Sequence, residues 1–348
     1  MFEKLIGNNH VKEVLCRMLS SERIPHSLLL AGAEGVGKKQ FALEIAKAFV
    51  CQNPKNFEAC DVCASCRRAG KFEFPKSDKK DDFEKVIFSE HSDIGTVIPY
   101  KNSILVDAIR ELVTEANFRP YEAKARFFLI DDAEKLNIAK DNAANALLKT
   151  LEEPPPTSYI FLISSRPDTL LPTIRSRCQT IRFAPIDKKE IEEFLLGTKK
   201  FSPTDAELLA RLSNGSIGRA LEIDLGKFRE GREAMLKVLQ SLLLREDRSV
   251  LLRTAEEMND AKNKDNYDAS LEILETLIHD VWVVKLGNET QVVNFDILPQ
   301  IKNLAQNVES KRLASWLSEI EKMRENFQVN INRKIATDAL FMQMASGF

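Results

Sequence analysis

The sequence carries no surplus of positive charge. Its 348 residues hold 50 Lys and Arg against 52 Asp and Glu, a formal net charge of −2. That balance excludes a free-standing nucleic-acid binder with a strongly basic face, though not a subunit that meets DNA inside an assembly. No stretch approaches the ~18 consecutive apolar residues that a membrane-spanning helix needs. The opening Met1-Phe2-Glu3-Lys4-Leu5 lacks the apolar core of a secretory leader. The expectation is a soluble, cytoplasmic chain with no membrane role. No internal repeat is visible, and no polymerase or nuclease constellation. What is present is enough chain for two or three domains with real cores.

One glycine loop also lacks something. Gly32-Ala33-Glu34-Gly35-Val36-Gly37-Lys38-Lys39 fits the phosphate-binding pattern G-x-x-x-x-G-K-[ST] except at its last position. Gly32, Gly35 and Gly37 let backbone N–H groups curl around phosphates, and Lys38 reaches their oxygens. The missing Ser or Thr normally holds Mg²⁺ through its hydroxyl. Lys39 stands there, and a protonated ammonium cannot ligate a metal. The pattern implies ATP with Mg²⁺ as ligand, and Lys39 argues for binding with poor turnover, or for neither.

The context of the loop is that of an α/β domain. Ser27 to Ala31, Arg126 to Ile130 and Tyr159 to Ile163 read as buried strands. Lys38 to Val50 reads as a helix, with Phe41, Ile45, Ala48 and Phe49 on one side. A helical pattern over Leu136 to Leu151 stops before Pro154-Pro155-Pro156. Strands separated by helical lengths imply a parallel sheet with helices on both faces, and ligands at the carboxyl ends of its strands. The glycine loop, Asp131-Asp132 and Ser164-Ser165 each follow a strand, so all three gather at one edge. Beyond Pro185 the strand signal fades. Lys188 to Leu196 and Asp205 to Leu212 read as short amphipathic helices, and from about 228 onward the pattern is helical. Leu271, Leu274, Ile278, Val281 and Trp282 form one apolar stripe, and Leu313, Trp316, Leu317, Ile320 and Met323 another. Such spacing reads as helix packed on helix. Lys71 to Glu90, rich in Lys and Asp, reads as a low-order solvated insertion.

Four of the six cysteines cluster. Cys51, Cys60, Cys63 and Cys66 have the spacing C-x₈-C-x₂-C-x₂-C. Two-residue gaps let neighbouring thiolates face one metal, and four thiolates complete a closed tetrahedral Zn²⁺ shell, structural and not catalytic. Disulfides are disfavoured without a secretion signal. An iron–sulfur cluster also uses four thiolates, but spacing and compartment favour zinc. Cys178 stands apart, and so does Cys16, read as a small core residue. Arg67, Arg68 and Lys71 after Cys66 are more simply solvated cations than a DNA-reading face.

Several stretches together resemble the bacterial clamp-loader subunits of the AAA+ class, above all the delta-prime family of the DNA polymerase III holoenzyme. They are Leu5-Ile6-Gly7-Asn8, Ile24-Pro25-His26-Ser27 before the loop, the cysteine module after the loop's helix, His91-Ser92-Asp93 and Ile109-Arg110-Glu111-Leu112. The most specific are Asn145 to Pro155 and Leu171 to Cys178. The likeness covers about residues 1 to 222; the C-terminal helices resemble the family's collar in length and in the closing stretch Asn330 to Met344.

The resemblance implies an AAA+ nucleotide-binding-type domain with a zinc module over 1–185, a helical lid over 186–228 and an all-α oligomerisation collar over 229–348. It matches Gly32, Gly35, Gly37 and Lys38 to the phosphate loop and Asp131 to the Mg²⁺-holding acid. Asp132 falls where active members carry the Glu that polarises water, and stops about one bond length short; a 1 Å misplacement can cost about 10²-fold. Ser164 or Ser165 matches the first sensor and Arg219 the second. Arg177 matches an arginine finger delivered to the ATP site of a neighbouring subunit; such fingers contribute roughly 10³–10⁵ in rate. Without that context Arg177 reads as a helix cap or as the partner of a local carboxylate.

The implied protein is a loader subunit, partnered by gamma/tau and delta subunits and meeting the sliding clamp and primed DNA through the assembly. Polymerase activity then belongs to the holoenzyme, and this chain's own ATPase is weak or absent. The alternatives are an ATP-hydrolysing gamma/tau-type motor, against which Lys39 and Asp132 speak, and a zinc-containing AAA+ adaptor outside replication.

Overall fold

The computed structural model describes all residues except 1, 22, 56, 57, 77, 138–141, 245–247, 261–265, 307, 327–331, 347 and 348. The chain divides into two units, Met1–Gly197 with Ser213–Leu221, and Thr198–Leu212 with Glu222–Phe348.

The first unit runs α1 (Asn9–Ser20), β1 (Ser27–Ala31), α2 (Lys38–Val50), α3 (Ala64–Arg68), β2 (Ile87–Phe88), β3 (Ile94–Val97), α4 (Val106–Ala116) and β4 (Arg126–Ile130). It continues through α5 (Asn142–Glu152), β5 (Ser158–Ser164), α6 (Pro172–Arg175), β6 (Gln179–Arg182) and α7 (Lys188–Gly197). The strands lie in the order β2-β3-β4-β5-β1-β6, all parallel except β2, which pairs antiparallel with β3. Central strands of such a sheet are covered on both faces and so are apolar throughout. Leu28, Leu30, Phe127, Leu129 and Phe161 pack with Val11 and Leu15 of α1 and Phe41 and Ile45 of α2. Leu29, Phe128, Ile130, Ile160 and Leu162 pack on the other side with Leu112 of α4 and Leu147 of α5.

The second unit contains α8 (Pro203–Leu212) and, after α9 (Ile217–Glu222), α10 (Leu225–Leu244), α11 (Arg248–Asn259) and α12 (Tyr267–Lys285). It ends with α13 (Leu298–Gln306), α14 (Ser310–Asn326) and α15 (Arg333–Ser346). The two apolar stripes meet in one core, where Leu271, Leu274, Ile278 and Val281 share a cluster with Leu239, Leu313, Ile320 and Phe341. Among the described residues, no helix is long and apolar enough to cross a membrane.

Four expectations need revision. The apolar runs revealed three strands, but the sheet has six. β3 carries Gly95 and Thr96 at its centre, and β6 buries only Ile181, so neither forms an apolar run. The helix expected over Leu136 to Leu151 divides into a 3₁₀ turn at Ala133–Asn137 and α5, with 138–141 outside the described residues. Lys71 to Glu90, apart from residue 77, is largely exposed yet anchored. Phe72 bridges to Ser89, its ring stacks on Phe74 at 5.7 Å, and the segment ends in β2. Cys16 is exposed on α1, because Val11, Leu15 and Leu19 take the buried face.

One buried ionic cluster ties the sheet to its helices. Asp93, fully buried, accepts the backbone amides of Tyr121, Glu122 and Ala123 at 2.8, 3.0 and 2.9 Å. Arg126, fully buried at the start of β4, lies 3.6 Å from Asp93 and donates to Glu115 at 2.8 Å. Breaking a buried pair leaves a charge without compensation. Asp93→Ala is therefore expected to destabilise the first unit by about 3–5 kcal/mol, read as a lower urea midpoint, with Asp93→Asn falling between it and the parent.

Candidate functional site at the carboxyl edge of the sheet

The glycine loop joins β1 to α2. Gly35 and Gly37 adopt φ of +72° and +97°, backbone that only glycine takes without strain, and Gly37 caps α2. Lys38 is buried and donates from Nζ to the carbonyls of Gly32 and Ala33, both at 2.7 Å. Burial lowers the pKa of its ammonium, against the opposing pull of Glu134 and Asp131. Gly35 is also bare for a packing reason. A Cβ there would lie 2.3 Å from Ser216 Oγ and 3.1 Å from Gly218 Cα, and the Gly218 amide donates to Gly35 O at 2.9 Å. The start of α9 thus rests directly on the loop, with half-buried Arg219 in its first turn.

The strand ends supply the other half of the edge. β5 lies between β1 and β4, which brings Ser164-Ser165 and Asp131-Asp132 beside the loop. Lys39 Nζ sits 2.7 Å from Asp131 Oδ2 and 5.0 Å from the centre of the Phe74 ring. Asp132, at φ +47°, pairs with Lys135 at 2.8 Å. Each carboxylate at the end of β4 therefore has a lysine of this chain as counter-ion. A Mg²⁺ ion does not fit these residues: its usual hydroxyl ligand is missing, and its usual acid is already paired with an ammonium.

Glu134 is a member of the site that sequence reasoning missed. It is buried, accepts from Ser165 Oγ at 2.5 Å, and keeps Oε2 without a hydrogen-bond partner. Burial pushes its pKa up, but hydrogen bonding, led by Ser165, outweighs this and holds the carboxyl below its usual range. The available signal was the spacing: a tight 3₁₀ turn after Asp132 returns the next acidic residue to the sheet edge. The two serines separate here. Ser165 engages Glu134, while Ser164 is buried at the end of β5, where its Oγ accepts the amide of Arg166 at 3.2 Å.

Arg177 lies just beyond α6, away from this cluster of charges. Its guanidinium donates to Thr173 O at 3.0 Å and meets Glu152 Oε2 at 3.2 Å, with 30% of the arginine side chain and 60% of the glutamate exposed. The ion pair itself contributes at most ~1 kcal/mol, and the mostly covered arginine is held by the Thr173 carbonyl as well.

The four clustered cysteines converge. Their sulfur atoms all lie within 4.8 Å of one another, an arrangement that can hold a metal ion. Cys51 directly follows α2, and Cys63 caps α3. Amides point at the sulfurs: Asn53 and Cys60 donate to Cys51, Cys63 to Cys60, and Cys66 to Cys63, at 3.3–3.4 Å. Such bonds favour thiolate over thiol. Burial pushes the Cys63 thiol up, but amide hydrogen bonds outweigh it and bring it to about 6. Burial pushes Cys66 well up. Cys178, buried against α5, is pushed up to about 12 and is inert.

Comparison with known proteins adds a family. Residues 7–187 match the family described as DNA polymerase III, delta subunit, and residues 229–344 match its C-terminal counterpart. The chain is 28% identical over 338 residues to DNA polymerase III subunit delta' of Bacillus subtilis, covering 97% of this chain and 96% of that one. It is 29% identical over 351 residues to the protein of that name from Escherichia coli, covering 99% and 92%. Against that of Pseudomonas aeruginosa it is 31% identical over 333 residues, covering 92% of each.

Metal binding here competes with protons, since each ligand must be a thiolate. Affinity is expected to fall as pH drops, most steeply at the acid end of the range, where all four thiols carry protons that the metal must displace. Metal release to a chromogenic chelator between pH 8 and pH 5 checks the sign; Cys63→Ser should abolish stoichiometric metal by elemental analysis.

Proposed function

This chain belongs to the DNA polymerase III delta-subunit family, and from that premise we propose that it is a fixed member of a clamp-loader ring, one that keeps a nucleotide-site scaffold without turning over much ATP. Its role is that of the delta-prime subunit of the loader. The loader would seat the sliding clamp on primed DNA for the replicative polymerase in the cytoplasm. Its neighbours would be the gamma/tau and delta subunits, and clamp and DNA are met through the assembly. In this reading residues 1–185 are the nucleotide-binding-type domain, 186–228 the lid and 229–348 the collar. Cys51, Cys60, Cys63 and Cys66 hold Zn²⁺ as a structural ion, the metal that a closed four-thiolate shell suits best.

The observation that carries the low-turnover reading is the pairing of both acids after β4 with lysines. A carboxylate that is to polarise water needs free lone pairs and the right reach. Asp132 is short by a methylene and engaged by Lys135.

Arg177 carries the outward half of the proposal. Leaving Glu152 and the Thr173 carbonyl costs about 2 kcal/mol. A finger worth 10³–10⁵ in rate corresponds to about 4–7 kcal/mol, so delivery to a neighbour's phosphates wins easily.

In a reconstituted loader, Arg177→Ala is expected to slow clamp loading at least tenfold while the ring still assembles. The isolated chain should hydrolyse ATP only at background. Loading at an unchanged pace with Arg177→Ala, or no co-purification with the loader subunits, overturns the proposal.

A further inference from the structure

Lys39 is better placed than a chance substitution requires. Its ammonium has two partners contributed by different parts of the chain. One is the carboxylate of Asp131 at 2.7 Å; the other is the face of Phe74, 5.0 Å away. Phe74 comes from the segment between α3 and β2, held by its stack on Phe72. A carboxylate below and a π face alongside make a cation site, and the cation in it is a side chain of the same protein.

Lengths make the exchange plausible in physical terms. Where relatives of the phosphate-loop pattern place a hydroxyl, a metal ion and an acid in line, two metal–oxygen contacts of about 2.1 Å each span roughly 4 Å. A lysine extends three heavy atoms beyond a serine's Oγ, which covers a similar gap and ends in positive charge. The result is one charge fixed by a covalent stem, in place of two charges on an exchangeable ion.

We propose that Lys39 is a tethered cation occupying the position of the divalent metal, so that this phosphate loop is tied to Asp131 without metal, and any nucleoside diphosphate or triphosphate it meets is met by the loop amides with Lys38 and Lys39 and no metal ion. The inference rests on the low-turnover reading above and deepens it. It accounts for a loop that keeps its glycines and Lys38 while the metal-holding hydroxyl is gone. The ammonium performs the structural half of the metal's work, joining the first turn of α2 to the end of β4. The chemical half, drawing charge from a leaving phosphate, needs the second charge and is lost.

The experiment uses the full chain with ADP as probe, with Mg²⁺ or in Mg²⁺-free buffer without chelator so that the cysteine cluster is left undisturbed, read by thermal melting and by calorimetric titration. The parent protein is expected to melt at the same temperature in both conditions, and any ADP affinity to agree within about twofold. Lys39→Thr, which restores a hydroxyl and frees Asp131, is expected to bind ADP at least tenfold more tightly with Mg²⁺ than in the Mg²⁺-free buffer. Tenfold tighter binding of ADP by the parent in Mg²⁺, or no metal dependence in Lys39→Thr, overturns the proposal. Should Lys39→Thr fail to fold, Mn²⁺ titration of the parent with ADP, followed by electron paramagnetic resonance, decides the matter. A stoichiometric Mn²⁺–ADP complex on the parent refutes a tethered cation, and its absence supports one. None of these readouts involves clamp loading, so their failure would leave the role in the ring standing.

Discussion

Unpaired charge in a half-buried space is costly, and the carboxyl edge of this sheet concentrates charge there. β1, β4 and β5 end side by side, bringing Lys38, Lys39, Asp131, Asp132 and Glu134 together with the loop amides. The chain resolves the conflict internally. Lys38 turns to two carbonyls of its own loop, Lys39 to Asp131, Lys135 to Asp132, and Ser165 to Glu134. A site arranged in this way holds its form without a ligand's charge. That is the property the proposed fixed role requires, and a poor one for an engine that must respond to phosphate.

One helix links this edge to the cysteine module. α2 begins at the phosphate loop and is followed directly by Cys51, so loop and cysteine cluster lie at opposite ends of a rod of about 20 Å at 1.5 Å per residue. From the cluster, Arg68 at the end of α3 reaches Glu122 with both guanidinium branches, at 2.9 and 2.7 Å. The amide of Glu122 is one of the three that Asp93 holds. Buried His91 lies 3.6 Å from Glu122, and burial pushes its pKa down, ahead of the opposing pull of that carboxylate. The cysteine module is thus bound into the sheet by charged contacts as well as by the chain, in keeping with a structural ion.

The second unit follows a different rule. Its helices converge on one apolar core, but the connection after α12 is held by polar groups. Asp280, fully buried, accepts the amides of Val293 and Asn294, and Arg232 clamps Asp296 at 2.6 Å. Burial raises the pKa of Asp280 despite those amides. A connection with only two short 3₁₀ turns, Glu289–Gln291 and Phe295–Ile297, needs such partners for the rest of its backbone.

The sequence by itself determined the layered α/β character of the first unit, the helical second unit, the meeting of three loops at one sheet edge, and the cysteine cluster. Each of these is written in local pattern: apolar runs of strand length, 3.6-residue stripes, glycines at turns, and thiols two residues apart. Tertiary structure alone decided who pairs with whom. Lys39 meets Asp131 across 92 residues and Ser165 meets Glu134 across 31, because β5 lies between β1 and β4. Strand order also decided that polar β6 and Gly-Thr-centred β3 belong to the sheet, and anchoring by Phe72 and Phe74 turned an apparently loose segment into a wall of the site. Local sequence encodes the period of an element and the face it buries. It does not encode the order in which elements stack, and partners for charge are chosen by that order.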